Sequence, residues 1–171
     1  GAAQFSAGLQ EFKCGNNFGY SAFTVFGAFW IALGMIWLIL DLQATQNTFI
    51  GTHLKITPSD IGIFLLAFTL YAAIMWVASL RISGMMAFTF TTLIIGFVGL
   101  DLAFLAGMKW LVPVVAVDLI VCSLCAWYMM AHIIFLQVFG RDLLPVGSPW
   151  ISTGQAAHDA SGGASPEPSE A

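Results

Sequence analysis

The sequence predicts an all-α fold, a polytopic bundle of membrane-spanning helices. Two observations carry that prediction. First, Cys14–Leu40, Ile61–Leu80, Ile82–Leu100 and Leu119–Gly140 contain no Lys, Arg, Asp or Glu. A helix rises about 1.5 Å per residue, so about 20 such residues cross a hydrocarbon core of roughly 30 Å. Second, the chain is 59% hydrophobic and only 8% charged, against about 25% charged in a typical soluble domain. A soluble domain of 171 residues could not hide so much apolar surface. The function must be one that a membrane protein performs.

The elements follow in order. Gly1–Gln10 is uncharged and ends at Glu11-Phe12-Lys13. It reads as the second half of a membrane helix, so the sequence is expected to be an N-terminally truncated fragment. It has no basic n-region and no cleavage site of a signal peptide. Four further spans are expected near 18–40, 61–80, 84–104 and 111–139. That makes five spans, the first partial. The last is long enough to tilt or protrude. Turn or charge signals bound them: Gly15-Asn16-Asn17, Thr57-Pro58-Ser59-Asp60, Arg81-Ile82-Ser83-Gly84 and Gly107-Met108-Lys109. Ser59 is the expected N-cap of the third span. Residues 41–60 read as a polar loop holding Asp41, His53, Lys55 and Asp60. From about Gly147 the chain is rich in Ser, Gly, Ala and Pro, and is expected to be disordered. The expected division is a transmembrane domain over 1–147 and a disordered cytoplasmic tail over 148–171.

Alternation of the spans places Lys13, Arg81 and Arg141 on one side. Lys55 and Lys109 fall on the other, beside Asp41, Asp60 and Asp101. The positive-inside rule puts the first set, and the tail, in the cytoplasm. Most of the six Trp lie near predicted span ends, but Trp30 and Trp127 lie deeper. No basic patch points to nucleic acid, and the net charge is only −4.

Few residues could carry chemistry. The stretch Gly15–Thr24 inserts polar Asn16, Asn17, Ser21 and Thr24 among apolar neighbours. Gly19, Gly27 and Gly34 recur on one helix face. They form either a helix-packing stripe or the side of a vestibule whose polar start is wet, and the two are compatible. Asp118 lies seven residues past Leu111, about 10 Å deep by helical rise. An ionised carboxylate at a bilayer centre costs roughly 2.5–3.5 kcal/mol on insertion scales. It should face protein or water, or carry a proton, unless this helix starts later and Asp118 sits at the outer interface. Glu11, two residues before Lys13, reads as a snorkelling interfacial pair ahead of a proton-relay group. His132 is a lone His on an apolar helix and reads first as packing. Cys122 and Cys125 have C-x-x-C spacing, but mid-span and without a neighbouring His they read as small packed residues. Three scattered His make no haem or metal site. No hydrolase triad, phosphate loop or metal cluster is visible, so no cofactor is expected. A conduit fits better than an enzyme.

The order of motifs adds more. Gly1-Ala2-Ala3-Gln4-Phe5-Ser6-Ala7-Gly8-Leu9-Gln10-Glu11-Phe12-Lys13 is followed by Gly15-Asn16-x-Phe18-Gly19-x-x-Ala22-Phe23-Thr24-x-Phe26-Gly27-Ala28-Phe29-Trp30. Near the other end stand Ala126-Trp127-Tyr128 and Phe139-Gly140-Arg141-Asp142-Leu143-Leu144-Pro145-Val146-Gly147. Over essentially residues 1–147 this resembles the acetate–succinate permease family (the AceTr, or GPR1/FUN34/YaaH, family). The resemblance implies six helices, of which the first, with its N-P-A-P-L-G-L signature, is missing here. It implies uptake of acetate, and sometimes succinate, with protons. It also implies a homo-oligomer, a hexamer in which each protomer has its own path. The family's apolar constriction includes an aromatic that matches Phe26, usually Tyr, and a Leu that matches Leu93. Gln4 matches the Gln facing the path, and Ala126 the small residue beside it. The implied substrate path therefore runs by Gln4, Asn16, Thr24, Phe26, Leu93, Ala126 and Tyr128, with Asp118 and Glu11 as relay candidates on local grounds alone. The partners expected are a small carboxylate, protons and the lipid bilayer of the plasma membrane. An ammonia or ammonium export channel is the alternative conduit. A non-transporting membrane scaffold is the alternative of another class.

Overall fold

The computed structural model describes residues 1–45 and 49–151. Six α-helices follow in order: α1 Ala2–Lys13, α2 Asn17–Thr45, α3 Phe49–His53, α4 Pro58–Ser79, α5 Gly84–Leu105 and α6 Val112–Phe139. A single 3-10 turn, Lys109–Leu111, leads into α6. The described residues contain no strand. Four helical stretches are long and apolar enough to cross a membrane: Asn17–Thr45, Pro58–Ser79, Gly84–Leu105 and Lys109–Phe139. The all-α membrane bundle is the observed architecture.

Turn chemistry sets the helix ends. Gly15 has φ +76°, a left-handed conformation that costs glycine little. It reverses the chain between α1 and α2. Asn16 then holds the corner: its Oδ1 accepts from the Gly19 N–H at 3.0 Å, and its Nδ2 donates to Glu11 Oε2 at 2.7 Å. The partner of Glu11 is thus Asn16, and not the Lys13 expected from the sequence. At α4 the N-cap is Thr57, one corner earlier than the Ser59 expected. Pro58 occupies the first helical position, where its fixed φ and missing N–H cost nothing. That leaves Thr57 and Asp60 to form a reciprocal capping box. Ser83 caps α5 by accepting from the Met86 N–H at 3.2 Å. The stretch read as a loop over 41–60 is partly helical, because α2 continues to Thr45 and α3 adds one short turn.

Glycines decide which helices touch closely. A Cβ on Gly8 would fall 2.6 Å from the Thr24 backbone N, and one on Gly27 would overlap the Phe5 backbone. So α1 and α2 pack nearly backbone to backbone. Gly34, expected on the same stripe, faces open space. Gly1 already sits against Ile31, and Gly34 lies almost a turn beyond. On the other side, Gly62 receives Leu105, Gly96 receives Leu119 and Gly99 receives Val115. These contacts lock α4 to α5 and α5 to α6. Between the two groups, α2 reaches α4, yet no Cα of α2 comes within 8 Å of one in α5. Aromatic side chains fill that gap.

The segment after α6 folds back. Gly140, with φ +66°, ends the helix. Tyr128 Oη then donates to Pro145 O at 2.9 Å, and His132 Nδ1 lies 2.6 Å from Leu144 O and 3.2 Å from Asp142 Oδ1. The Met85 N–H donates to Val146 O at 2.8 Å, and the Ile151 N–H to Leu80 O at 3.1 Å. This strap satisfies backbone groups at the ends of α4 and α5 that a helix leaves unpaired. The tail expected to be disordered from Gly147 therefore begins with a docked stretch through Ile151, and residues 152–171 lie outside the described residues. The strap also brings Arg81 and Arg141 to one end of the bundle. Phe18, early in α2, meets Phe90, early in α5, at 5.5 Å, which puts Lys13 at that same end.

Candidate functional site

An aromatic neck lies where α2, α4 and α5 converge. Phe26 on α2 is 8% exposed. Its ring centroid stands 5.7 Å from Tyr71 on α4 and 6.4 and 6.3 Å from Phe90 and Phe97 on α5. Phe29, almost one turn on, continues the stack against Phe64, Phe68 and Phe97 at 5.5, 4.8 and 5.5 Å. Offset and edge-on contacts of this kind add about 0.5–1.5 kcal/mol each beyond burial. Leu93 and Ile94 are half-buried against the same cluster. Helical spacing aligns Phe90, Leu93, Phe97 and Asp101 along one stripe of α5, because residues three and four apart share a face.

Polar groups stand at the edge of this neck. The Tyr71 hydroxyl is buried, and Ser21 faces it without closing a hydrogen bond. Asp101, one turn beyond Phe97, is 8% exposed. Its Oδ2 accepts from Thr69 Oγ1 at 2.7 Å, while its Oδ1 is buried with no hydrogen-bond partner. Asp101 was expected among the outer-side charges, at a helix end. The structure corrects this: α5 continues through Ala103-Phe104-Leu105, and the carboxyl turns inward to α4. Asp118 lies six residues into α6, so the helix does not start late. Its Oδ2 is buried beside Gly96, also unpaired.

The residues expected on the path divide. Phe26 and Leu93 belong to the neck. Gln4 is half-buried on α1, and Asn16 carries the α1–α2 corner. Thr24 turns its hydroxyl to Tyr20 O at 2.6 Å and packs on Gly8. Ala126 is exposed on α6, and Tyr128 ties down the strap. Glu11 holds the corner and Asp118 faces α5, so the two stand on separate helices. Cys122 and Cys125 are free thiols, and Cys122 Sγ lies 3.5 Å from Thr89 O. Among the described residues no group of His, Cys, Asp and Glu could hold a metal ion. Sequence reasoning missed Thr69, Tyr71 and Asp101. The stripe 90–93–97–101 could have found Asp101, since it continues an aromatic face.

The family model of the GPR1/FUN34/yaaH family matches residues 1–138. The chain belongs to this family. Within it, the chain is 29% identical over 147 residues to the succinate-acetate/proton symporter SatP of Escherichia coli K12, covering 86% of this chain and 74% of that protein. It is 27% identical over 132 residues to ammonia transport outward protein 2 of Saccharomyces cerevisiae, covering 75% of this chain but 44% of the yeast protein. Among solved structures it superposes on the bacterial acetate channel SatP with TM-score 0.77 and 29% identity, over 86% of this chain and 77% of that one. The GPR1/FUN34/yaaH membership covers α1 to α6 almost entirely, including every neck residue.

Proposed function

We propose that this chain is a membrane transporter that moves acetate and related short carboxylates, succinate among them, together with protons. The observation that carries this reading is the superposition of the whole described bundle on an acetate channel at TM-score 0.77. The aromatic neck supplies the physical logic. A bare carboxylate pays a large desolvation penalty among packed rings. Passage with a proton, as the neutral acid, removes most of that cost. Rings at 4.8–6.4 Å centroid spacing favour short acids. The positive-inside rule supports a cytoplasmic end carrying Lys13, Arg81, Arg141 and the strap, in a plasma-membrane protein. Only Val115 and Cys122 of α6 are buried. So long an apolar helix with so little cover supports a homo-oligomer, a hexamer in the family pattern.

Flux of labelled acetate into proteoliposomes holding the full-length protein tests the proposal. Uptake above that of protein-free liposomes, rising as external pH falls from about 7 to about 5 and abolished by a protonophore, is expected. The yeast relative favours one second reading, ammonia export. Ammonia flux without acetate flux would establish it, and flux of neither solute would leave a scaffold.

A further inference from the structure

We propose that Asp101, held by Thr69, is the proton-binding site of the transporter. This rests on the carboxylate transport proposed above and names the group that supplies the proton. Asp101 is a carboxyl more than nine-tenths buried inside a membrane-spanning helix. One oxygen accepts the Thr69 hydroxyl at 2.7 Å and the other has no partner. A buried, unpaired carboxylate oxygen in such a place costs several kcal/mol unless something occupies it. The Thr69 hydroxyl is committed, because it also lies 3.1 Å from Leu65 O within its own helix. Two carboxyl oxygens and one hydroxyl are too few ligands for a metal cation, which takes six or more oxygens in the case of Ca²⁺. A proton needs only one.

Position gives the site its use. Asp101 follows Phe97 by one helical turn on the same face, so it stands at the end of the neck nearer the α5 C-terminus. Ionised, it repels an incoming carboxylate. Protonated on Oδ1, it offers that carboxylate an O–H donor. The step is a single proton transfer: the O–H bond at Asp101 breaks, an O–H bond forms on the substrate, and the neutral acid enters the neck. Asp101 is left ionised, held by Thr69, and takes its next proton from the medium on that side.

The titratable groups on the elements around α5 are accounted for. On α4, Tyr71 faces Phe26 and Asp60 is exposed in the capping box. On α6, Asp118 lies over Gly96, more than a turn from Asp101, Cys122 faces Thr89 and Cys125 lies a turn further along α6. Lys109 is exposed in the 3-10 turn.

The test uses the full-length protein in proteoliposomes, with protein-free liposomes subtracted. In Asp101→Asn, an amide donor remains but no proton can be given. Acetate uptake should become flat between pH 5 and 7 and the gradient should drive no accumulation, while acetate-for-acetate exchange at equal pH stays within about threefold of wild type. Thr69→Val should move the midpoint of the pH profile by about one unit, the worth of a hydrogen bond to a charged group; Thr69→Ser should restore it. A wild-type pH profile in Asp101→Asn would overturn the inference and leave proton-coupled transport standing. Absence of pH-dependent acetate uptake in the wild-type protein would overturn both. Should Asp101→Asn fail to reach the membrane, an unmoved midpoint in Thr69→Val overturns the inference alone.

Discussion

Gly27→Ala is expected to loosen the α1–α2 pair by a calculable amount. The added Cβ would lie 2.7 Å from Phe5 Cα and 2.9 Å from Phe5 Cβ, with Phe5 N closer still. Ordinary contact begins at 3.4 Å, so the gap must widen by 3.4 − 2.7, about 0.7 Å. The obstacle is backbone, so no side chain can rotate away. Overpacking of this type costs about 1–3 kcal/mol, and a backbone clash belongs at the upper end. Alanine returns up to about 1 kcal/mol in helix propensity. The net loss is about 2 kcal/mol, or about 4–8 °C in melting temperature for a chain of this size. Gly34→Ala supplies the control: nothing stands within 4 Å of its Cβ, so it should be neutral or slightly stabilising. Thermal unfolding of both variants in one detergent measures the difference. Equal melting temperatures for the two would refute the close-packing account of α1 and α2.

Three further outcomes are expected. Leu93→Ala removes bulk from the neck and should admit longer acids such as lactate, read as competition with acetate uptake; unchanged selectivity in a normally expressed variant takes Leu93 off the path. Asp118→Asn, isosteric and easier to insert, should express normally and keep the wild-type pH profile, since Asp101 carries the proton; a flattened profile moves the proton site to α6. Thr57→Ala removes half of the capping box and should cost about 1 kcal/mol, a fall of about 2–4 °C in melting temperature, with transport unchanged; an unaltered melting temperature would show that the box contributes nothing.

Span existence was legible because hydropathy over about 20 residues depends on composition, which a single sequence displays. The boundaries were less so. Charge was taken to mark the helix end at Asp101, but a carboxyl can be carried inside a span when a neighbouring helix offers a hydroxyl. That partner, Thr69, is 32 residues away, and nothing local announces the pairing. Ser59 lost the cap to Thr57 because Pro58 prefers the first helical position, a rule that was readable but not applied. Asn16 and Glu11 were seen as polar residues needing a purpose; that they serve each other depends on the reversal at Gly15. Phe26 and Leu93 were placed together by family resemblance. The rings that surround them, Tyr71, Phe90 and Phe97, come from two other helices, and helix register alone brings them there.

The packing also says where a path must open. Within α1–α2, and within α4–α5–α6, glycines let neighbouring helices touch backbone or side-chain stem directly, at Gly8, Gly27, Gly62, Gly96 and Gly99. Close-packed contacts of this kind are stiff, because every small displacement meets a hard wall. Between α2 and α5 the backbones stay more than 8 Å apart and only rings bridge the gap. A ring can swing about χ1 between staggered wells without moving a helix. The seam through Phe26, Tyr71, Phe90 and Phe97 is therefore where the bundle yields at least cost. Asp101 stands one turn from Phe97 on that seam, so a change of charge there is felt first by the rings that close it. In its wild-type form the neck lacks a hydroxyl at position 26, and the polar groups nearest the closure are Tyr71 and Asp101. Solute selection in this chain thus rests on ring size and on one carboxyl, rather than on a chain of hydrogen-bonding side chains through the neck.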